Sequence, residues 1–328
     1  MTLSSHLNPA NKVKFPIDYA NTQLKIFWLP DEIKVEKDVQ DVLVNMTPAE
    51  KHGVITTLKL FSLYETHAGS EYWGGRFREM FKDDDSSFER MASVFSMFEL
   101  AVHAPFYNKI NELLHLNDVN FYTSYEQVPA LKARIDHIGQ MINHEDPHVS
   151  LAAFSLVEGV ILYSSFAFLK HFQSQGKNRL MNIVRGINFS VRDENLHSEG
   201  GADSFKYLTM RTYGDSWHTV QDTYYNQIMS VAVKIVEHED EIIDMIFSQG
   251  KIEGITAHQL KQFVRSRVNI CMQRLGFGKV YDITYNPVAD WFYKGINGYQ
   301  FNDFFSGMGN QYNREWNETG FTWKANNE

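Results

Sequence analysis

Glu158 stands alone in the apolar stretch Val149–Leu169, where an unpaired carboxylate is out of place. Burying an ionised carboxylate without a partner costs several kcal/mol, so such a residue needs a cation or a proton. Two other segments pair a glutamate with a histidine one helical turn later, Glu99 with His103 and Glu194 with His197. A fourth carboxylate, Glu65, is similarly isolated in the helical run Val54–Tyr72. Residues four apart on an α-helix lie about 40° apart around its axis, and residues three apart about 60° on the other side, so each pair shares a face. Two lone glutamates plus two glutamate–histidine pairs on four helices make the ligand set of a carboxylate-bridged dimetal site in a four-helix bundle. Oxygen and imidazole donors suit iron or manganese, alone or mixed, better than the thiolate-rich sets of structural zinc.

The order of these elements carries more than any one of them. A single Glu-x-x-His arises often on exposed helices of acidic proteins. Two pairs in order, separated by one lone glutamate and preceded by another, do not. The neighbours agree with burial: Phe95, Phe98, Val102, Phe106 and Ile110 surround His103, and Ile187, Phe189 and Val191 precede Arg192-Asp193-Glu194. His52, His67, His137, His144, His148, His218, His238 and His258 sit in polar company and are expected to be solvated. Glu71 and Glu199 are expected to be surface or supporting groups.

Helical signals dominate the chain. Thr47-Pro48-Ala49-Glu50 is a capping box with proline at the first helical position, and it opens a helix to about Trp73. Further helices are expected from Ser86 or Ser87 to about Leu116, over Tyr125–Asn143, from Pro147 to about Gln173, and over Arg179–Tyr213, Ser216–Gln249 and Thr256–Leu275. Strand-like alternation is confined to Lys279–Thr284. The first forty residues read as extended and proline-punctuated around Phe27-Trp28-Leu29-Pro30, and the segment from Asn302 is rich in Gly, Asn, Gln and Ser with large aromatics dotted through it. Such a tail suits docking into a partner, because aromatics dominate interface hot spots. The reading is an all-α bundle over 1–301 with a flexible docking tail over 302–328.

Hydrophobic content of 43% allows a substantial core, and a net charge of −9 argues against nucleic acid or anionic membranes as the main partner. No secretory signal is evident, and Glu158 splits the longest apolar run, so no membrane span is expected. The single cysteine, Cys271, suggests a reducing, cytoplasmic setting. Any chemistry that needs a dithiol must then use another chain.

At these residues the chain resembles the small, radical-generating subunit of class I ribonucleotide reductase, a ferritin-like fold. Phe27-Trp28-Leu29-Pro30-Asp31-Glu32 looks like that family's N-terminal tryptophan motif, and Leu58–Glu65 its first carboxylate helix. Glu99–Tyr107 resembles the helix with a carboxylate, a histidine and the radical tyrosine. Val157-Glu158 matches the isolated glutamate, Arg192-Asp193-Glu194-Asn195-Leu196-His197 the second pair, and Phe304–Tyr312 the start of the tail. The resemblance implies metal ligands Glu65, Glu99, His103, Glu158, Glu194 and His197, and a stable radical on Tyr107. It implies radical transfer through Asp193, Trp28 and Tyr312 to a cysteine on a large subunit, which reduces ribonucleotides to deoxyribonucleotides. It further implies a homodimer and, where manganese is used, a small flavoprotein activator. The competing readings are a ferritin-like dimetal oxidase or oxygenase, which would need an apolar substrate channel, and a metal storage protein, which would need a cage.

Two positions depart from the family. Glu65 stands where most members have aspartate, which leaves metal identity open. The first pair is spaced Glu99-Leu100-Ala101-Val102-His103, one residue longer than Glu-x-x-His, with Pro105 following in the same helix. A regular helix would swing Glu99 about 100° away from the family direction. The expectation is a π turn near Leu100–Pro105 that absorbs the extra residue and returns Glu99 to the site.

Overall fold

The computed structural model describes residues 12–59 and 61–294, together with two short strands, Trp316–Asn317 and Gly320–Phe321, that pair antiparallel. Apart from those four residues the expected tail, with Tyr312, lies outside the described residues. In chain order the helices are α1 (Phe15–Lys25), α2 (Pro48–Leu58), α3 (Phe61–Thr66), α4 (Phe77–Phe81), α5 (Ser86–Phe98), α6 (Ala104–Leu113) and α7 (Val119–Tyr122). They continue as α8 (Pro129–Ile142), α9 (Pro147–Leu156), α10 (Tyr163–His171), α11 (Met181–Tyr213), α12 (Trp217–Ile246) and α13 (Ala257–Arg274). Three π turns splice pairs of these into longer rods: His67–Arg76 joins α3 to α4, Glu99–His103 joins α5 to α6, and Val157–Ile161 joins α9 to α10.

Local chemistry sets the helix ends. The Thr47 box is formed, with Glu50 N–H donating to Thr47 Oγ1 at 3.3 Å and Thr47 N–H to Glu50 Oε2 at 2.8 Å, and Thr256 with Gln259 repeats it. Helix α5 is capped by Asp85, which accepts from Ser87 N–H at 2.9 Å, rather than by either serine. The N-terminal segment is less extended than expected. Pro16 sits in the first turn of α1, where a missing N–H is harmless, and α1 packs against α5 and α11. The strand expected over Lys279–Thr284 is absent, because the Asn269 side chain takes the bonds a neighbouring strand would have made. It accepts from Val280 N–H at 2.8 Å and Tyr281 N–H at 2.9 Å, and donates to the Tyr281 carbonyl at 2.8 Å.

The long helix α11 is the spine of the bundle. Asp38, from the N-terminal segment, caps it across the fold, accepting from the N–H groups of Asn182 at 2.7 Å and Ile183 at 2.6 Å. A side chain on Gly186 would strike the Phe106 ring, so glycine there lets α11 lie close against α6. A reciprocal serine pair stitches α9 to α11, with Ser155 Oγ donating to the Ser198 carbonyl at 2.7 Å and Ser198 Oγ to the Ser155 carbonyl at 2.8 Å. Pro147–His171 is long and apolar enough by composition to cross a membrane, yet its most apolar window is wholly buried within the protein. That apolarity serves the core, and it places Glu158 at the centre of the molecule.

Candidate metal centre

Four rods converge on one buried point. Glu65 comes from the end of α3, Glu99 and His103 from the α5–α6 π turn, Glu158 from the α9–α10 π turn, and Glu194 with His197 from α11. All six side chains are at most 1% exposed. Their donor atoms form two overlapping groups, Glu65, Glu99, His103 and Glu194 in one and Glu99, Glu158, Glu194 and His197 in the other. Within each group the atoms lie within 4.8 Å of one another. Glu99 and Glu194 belong to both, the geometry of carboxylates that bridge two ions.

The expected π turn is present. It spans Glu99–His103, with Ala104 N–H bonding to the Glu99 carbonyl. Glu99 faces the site and Leu100 faces outward at 40% exposure. Pro105 cannot donate to the carbonyl a turn back, and this is harmless because Leu100 and Ala101 are exposed to water there. Each of the three rods that carries a lone or misaligned glutamate has a π turn at or beside it. Only α11, where the spacing is already regular, has none.

The electrostatics call for cations. Burial drives the carboxyls of Glu65 and Glu158 well above the usual range, and neighbouring glutamates push further the same way. Burial also opposes the charge on Glu99, but His103 and His197 overcome it and hold that carboxyl below the usual range. His197 is correspondingly raised to about 9: burial disfavours its charge, and Glu99 more than offsets this. Both oxygens of Glu65 and of Glu194, Glu99 Oε1 and both ring nitrogens of His197 are buried and meet only one another and His103, as in the 2.5 Å contact of His197 Nδ1 with Glu99 Oε1, without well-formed hydrogen bonds. Buried polar atoms are rarely left so, and a cluster of them facing one point marks a missing ligand. Four carboxylates balance the charge of two divalent cations, and the oxygen–imidazole donor set fits iron or manganese.

The surrounding shell is also built. His103 presents Nδ1 to the carboxylates, 2.9 Å from Glu99 Oε2 and 3.2 Å from Glu194 Oε1, while its Nε2 lies 3.1 Å from Asp193 Oδ2. Trp28 Nε1–H donates to the same Asp193 oxygen at 2.8 Å, completing a chain from the N-terminal segment to the site. The Tyr107 ring stacks on Phe61 at 4.3 Å and is fully buried, with the Ser190 side chain beside its hydroxyl. Glu158 is held by two groups that sequence reasoning missed, Trp73 Nε1–H at 2.7 Å and Tyr64 O–H at 3.0 Å. In a chain this rich in aromatics nothing in the sequence distinguished them. Two histidines expected to be solvated are buried: His148 lies 3.1 Å from Asp146 Oδ1, and His238 packs edge-on to the His137 ring. Glu71 is half exposed and pairs with His67 at 2.9 Å, and Glu199 pairs with Arg274 at 3.1 Å, so both are supporting groups as expected.

Comparison with known proteins agrees with this geometry. The family model described as "Ribonucleotide reductase, small chain" matches residues 7–287. The small chain of ribonucleoside-diphosphate reductase from Variola virus is 26% identical over 297 residues, 85% of this chain and 85% of that one. Subunit beta of ribonucleoside-diphosphate reductase from Bacillus phage SPbeta is 26% identical over 317 residues, 90% of this chain and 88% of that one. Among solved structures, the ribonucleotide reductase R2 subunit of Clostridium botulinum superposes with a TM-score of 0.73 at 19% identity, covering 87% of this chain and 88% of that one. The dimanganese(II)-NrdF of Streptococcus sanguinis superposes with a TM-score of 0.71 at 18% identity, covering 85% and 95%.

Proposed function

The chain belongs to the ribonucleotide reductase small-chain family, and from that premise we propose that it is the radical-generating subunit of a ribonucleoside-diphosphate reductase. Two ions of iron or manganese are held by Glu65, Glu99, His103, Glu158, Glu194 and His197, with the stable radical on Tyr107. The observation that carries this assignment is the pair of overlapping buried ligand groups sharing Glu99 and Glu194. Bound there, the ions supply the one-electron oxidising power that side chains lack.

The protein does the rest. Asp193 accepts the His103 Nε2 proton, which fixes the tautomer and aims Nδ1 at the ligand cluster. Phe61 and Phe106 wall the Tyr107 ring from water. The Trp28–Asp193–His103 chain gives the hole a path out, and Tyr312 in the tail is the next carrier towards the large subunit. The chain pairs with that large subunit, which supplies the dithiol, since Cys271 is the only cysteine here and is buried. The family resemblance also supports a homodimer, a small flavoprotein activator for manganese loading, and a cytoplasmic setting.

The oxidase and storage readings are less well supported. Three surface cavities, beside Arg78, Trp217 and Asn226, are lined by none of the six proposed ligand residues. The test is an EPR spectrum of aerobically metal-loaded protein with metals quantified on the same sample. Two ions per chain and a tyrosyl signal are expected. Protein that binds no metal pair refutes the assignment, and a loaded centre that turns over a bound hydrocarbon without the large subunit favours the oxidase.

A further inference from the structure

The three π turns that join helices differ in what surrounds them; a fourth, Asp41–Asn45, lies in the N-terminal segment. Those over His67–Arg76 and Glu99–His103 each include exposed residues, Ser70 and Glu71 in one and Leu100 and Ala101 in the other, so water can reach loosened carbonyls. The Val157–Ile161 turn is buried at every residue, and the helix breaks after it at Leu162 (φ −83°, ψ −8°). Its carbonyls need donors from the protein. Two buried arginines provide them. Arg267, on α13, donates from Nε to the Gly159 carbonyl at 3.0 Å, and Arg134, on α8, donates from Nη2 to the Ile161 carbonyl at 2.8 Å. They are 0% and 3% exposed.

The two arginines are buried on different terms. Arg134 Nη1 lies 3.2 Å from the buried Glu239, which Ser164 also holds. Arg267 meets no carboxylate among the described residues. Its guanidinium lies 3.8 Å over the Tyr163 ring, Nη1 donates to Tyr293 Oη at 3.0 Å, and Nη2 is unpaired. Burying a cation on such terms is unfavourable unless it secures something else. What both secure is the turn that bears Glu158. Gly159 takes part: a Cβ there would run into Cys271 Sγ and Ser198 Oγ, so α13 and α11 press directly on the turn.

We propose that Arg134 and Arg267 are positioning residues for the half of the metal centre that uses Glu158, holding the π turn in the register that aims its carboxylate at the ions. This rests on the reading of Glu158 as a ligand. Without the grip, the turn relaxes towards α geometry, where a one-residue change of register turns a side chain by about 100°. The group formed by Glu99, Glu158, Glu194 and His197 then loses a member. The group formed by Glu65, Glu99, His103 and Glu194 keeps all of its own.

The consequence is asymmetric metal loss, and Mn(II) alone is the probe. Wild-type protein should take up two Mn(II) per chain with the EPR signature of a coupled pair. Arg267→Leu strands no carboxylate; it should keep its helical circular dichroism, retain one Mn(II), and bind the second about 10–100-fold more weakly, with the hyperfine pattern of an isolated ion. Arg267→Lys, which can still donate to the Gly159 carbonyl, should recover the second ion. Arg134→Leu is made together with Glu239→Gln, so that no buried charge is orphaned, and should behave like Arg267→Leu. Folded variants that bind two coupled Mn(II) with wild-type affinity overturn the proposal, as does equal weakening of both sites. Wild-type protein that binds no pair overturns the functional assignment itself, a distinct result.

Discussion

Replacing Asp193 by asparagine tests the link between the buried Trp28 and the metal centre. Asp193 Oδ2 accepts from Trp28 Nε1 at 2.8 Å and faces His103 Nε2 at 3.1 Å, whereas Oδ1 has no hydrogen-bond partner. Asparagine is therefore held with its oxygen on the two donors and its NH₂ in the Oδ1 position, where it faces Arg192 Nε at 3.9 Å. The geometry survives and the charge does not. A hydrogen bond to a charged acceptor contributes about 1.5–3 kcal/mol and a neutral one about 0.5–1.5, so each bond weakens by roughly 1 kcal/mol. The Trp28 share appears in folding stability. The His103 share appears in metal affinity, a loss of about 5-fold at roughly 1.4 kcal/mol per decade, somewhat below the 10–100-fold typical for partners of ligating histidines. Nucleotide reduction should fall further than metal affinity, because the carboxylate that relays between Trp28 and His103 is gone. The assays are Mn(II) titration followed by EPR, and turnover with the large subunit at saturating metal. Asp193→Ala should be more severe, leaving two buried donors without an acceptor. Wild-type affinity and turnover in Asp193→Asn would refute the reasoning.

Tyr107→Phe should erase a tyrosyl signal with metal content unchanged; a full signal in that variant moves the radical elsewhere. Truncation after Gly309 should abolish nucleotide reduction while the metal centre still loads, and the detached tail should compete with intact protein; unimpaired turnover refutes the role of Tyr312. Lys170 is buried, shares its ammonium only with Asn188 and the face of Phe292, and burial holds its pKa well below the usual lysine value. Above the folded pKa and below the unfolded one, the unfolded chain binds the extra proton, so stability rises with pH by about 1.4 kcal/mol per unit. Urea titrations of metal-free protein at several pH values should show Lys170→Met losing that slope; parallel pH profiles for the two proteins would sink the argument.

What could be read from the sequence, and what could not, follows from the range of the interactions. The Thr47 box is local, closed within three residues, and forms as read, while the helix expected from Thr256 proves to open on a second such box. The clustering of the six proposed ligands was legible for a different reason: a carboxylate in an apolar run is a contradiction that only a cation or proton resolves. Even the odd spacing of Glu99 and His103 was informative, because an extra residue before a proline has few places to go, and the turn it forced is there. The supporting shell was not legible. Asp38 caps a helix 144 residues away, and Arg267 reaches Gly159 across 108. Trp73 and Tyr64 are two aromatics among many until the fold brings them to Glu158. The strand expected at Lys279–Thr284 failed similarly, its bonds taken by one asparagine on another helix. Ligands betray themselves by being wrong for their surroundings, whereas the residues that aim them are right for theirs. A buried arginine such as Arg267 is the exception, and its position beneath the Glu158 turn is the reason to test it first.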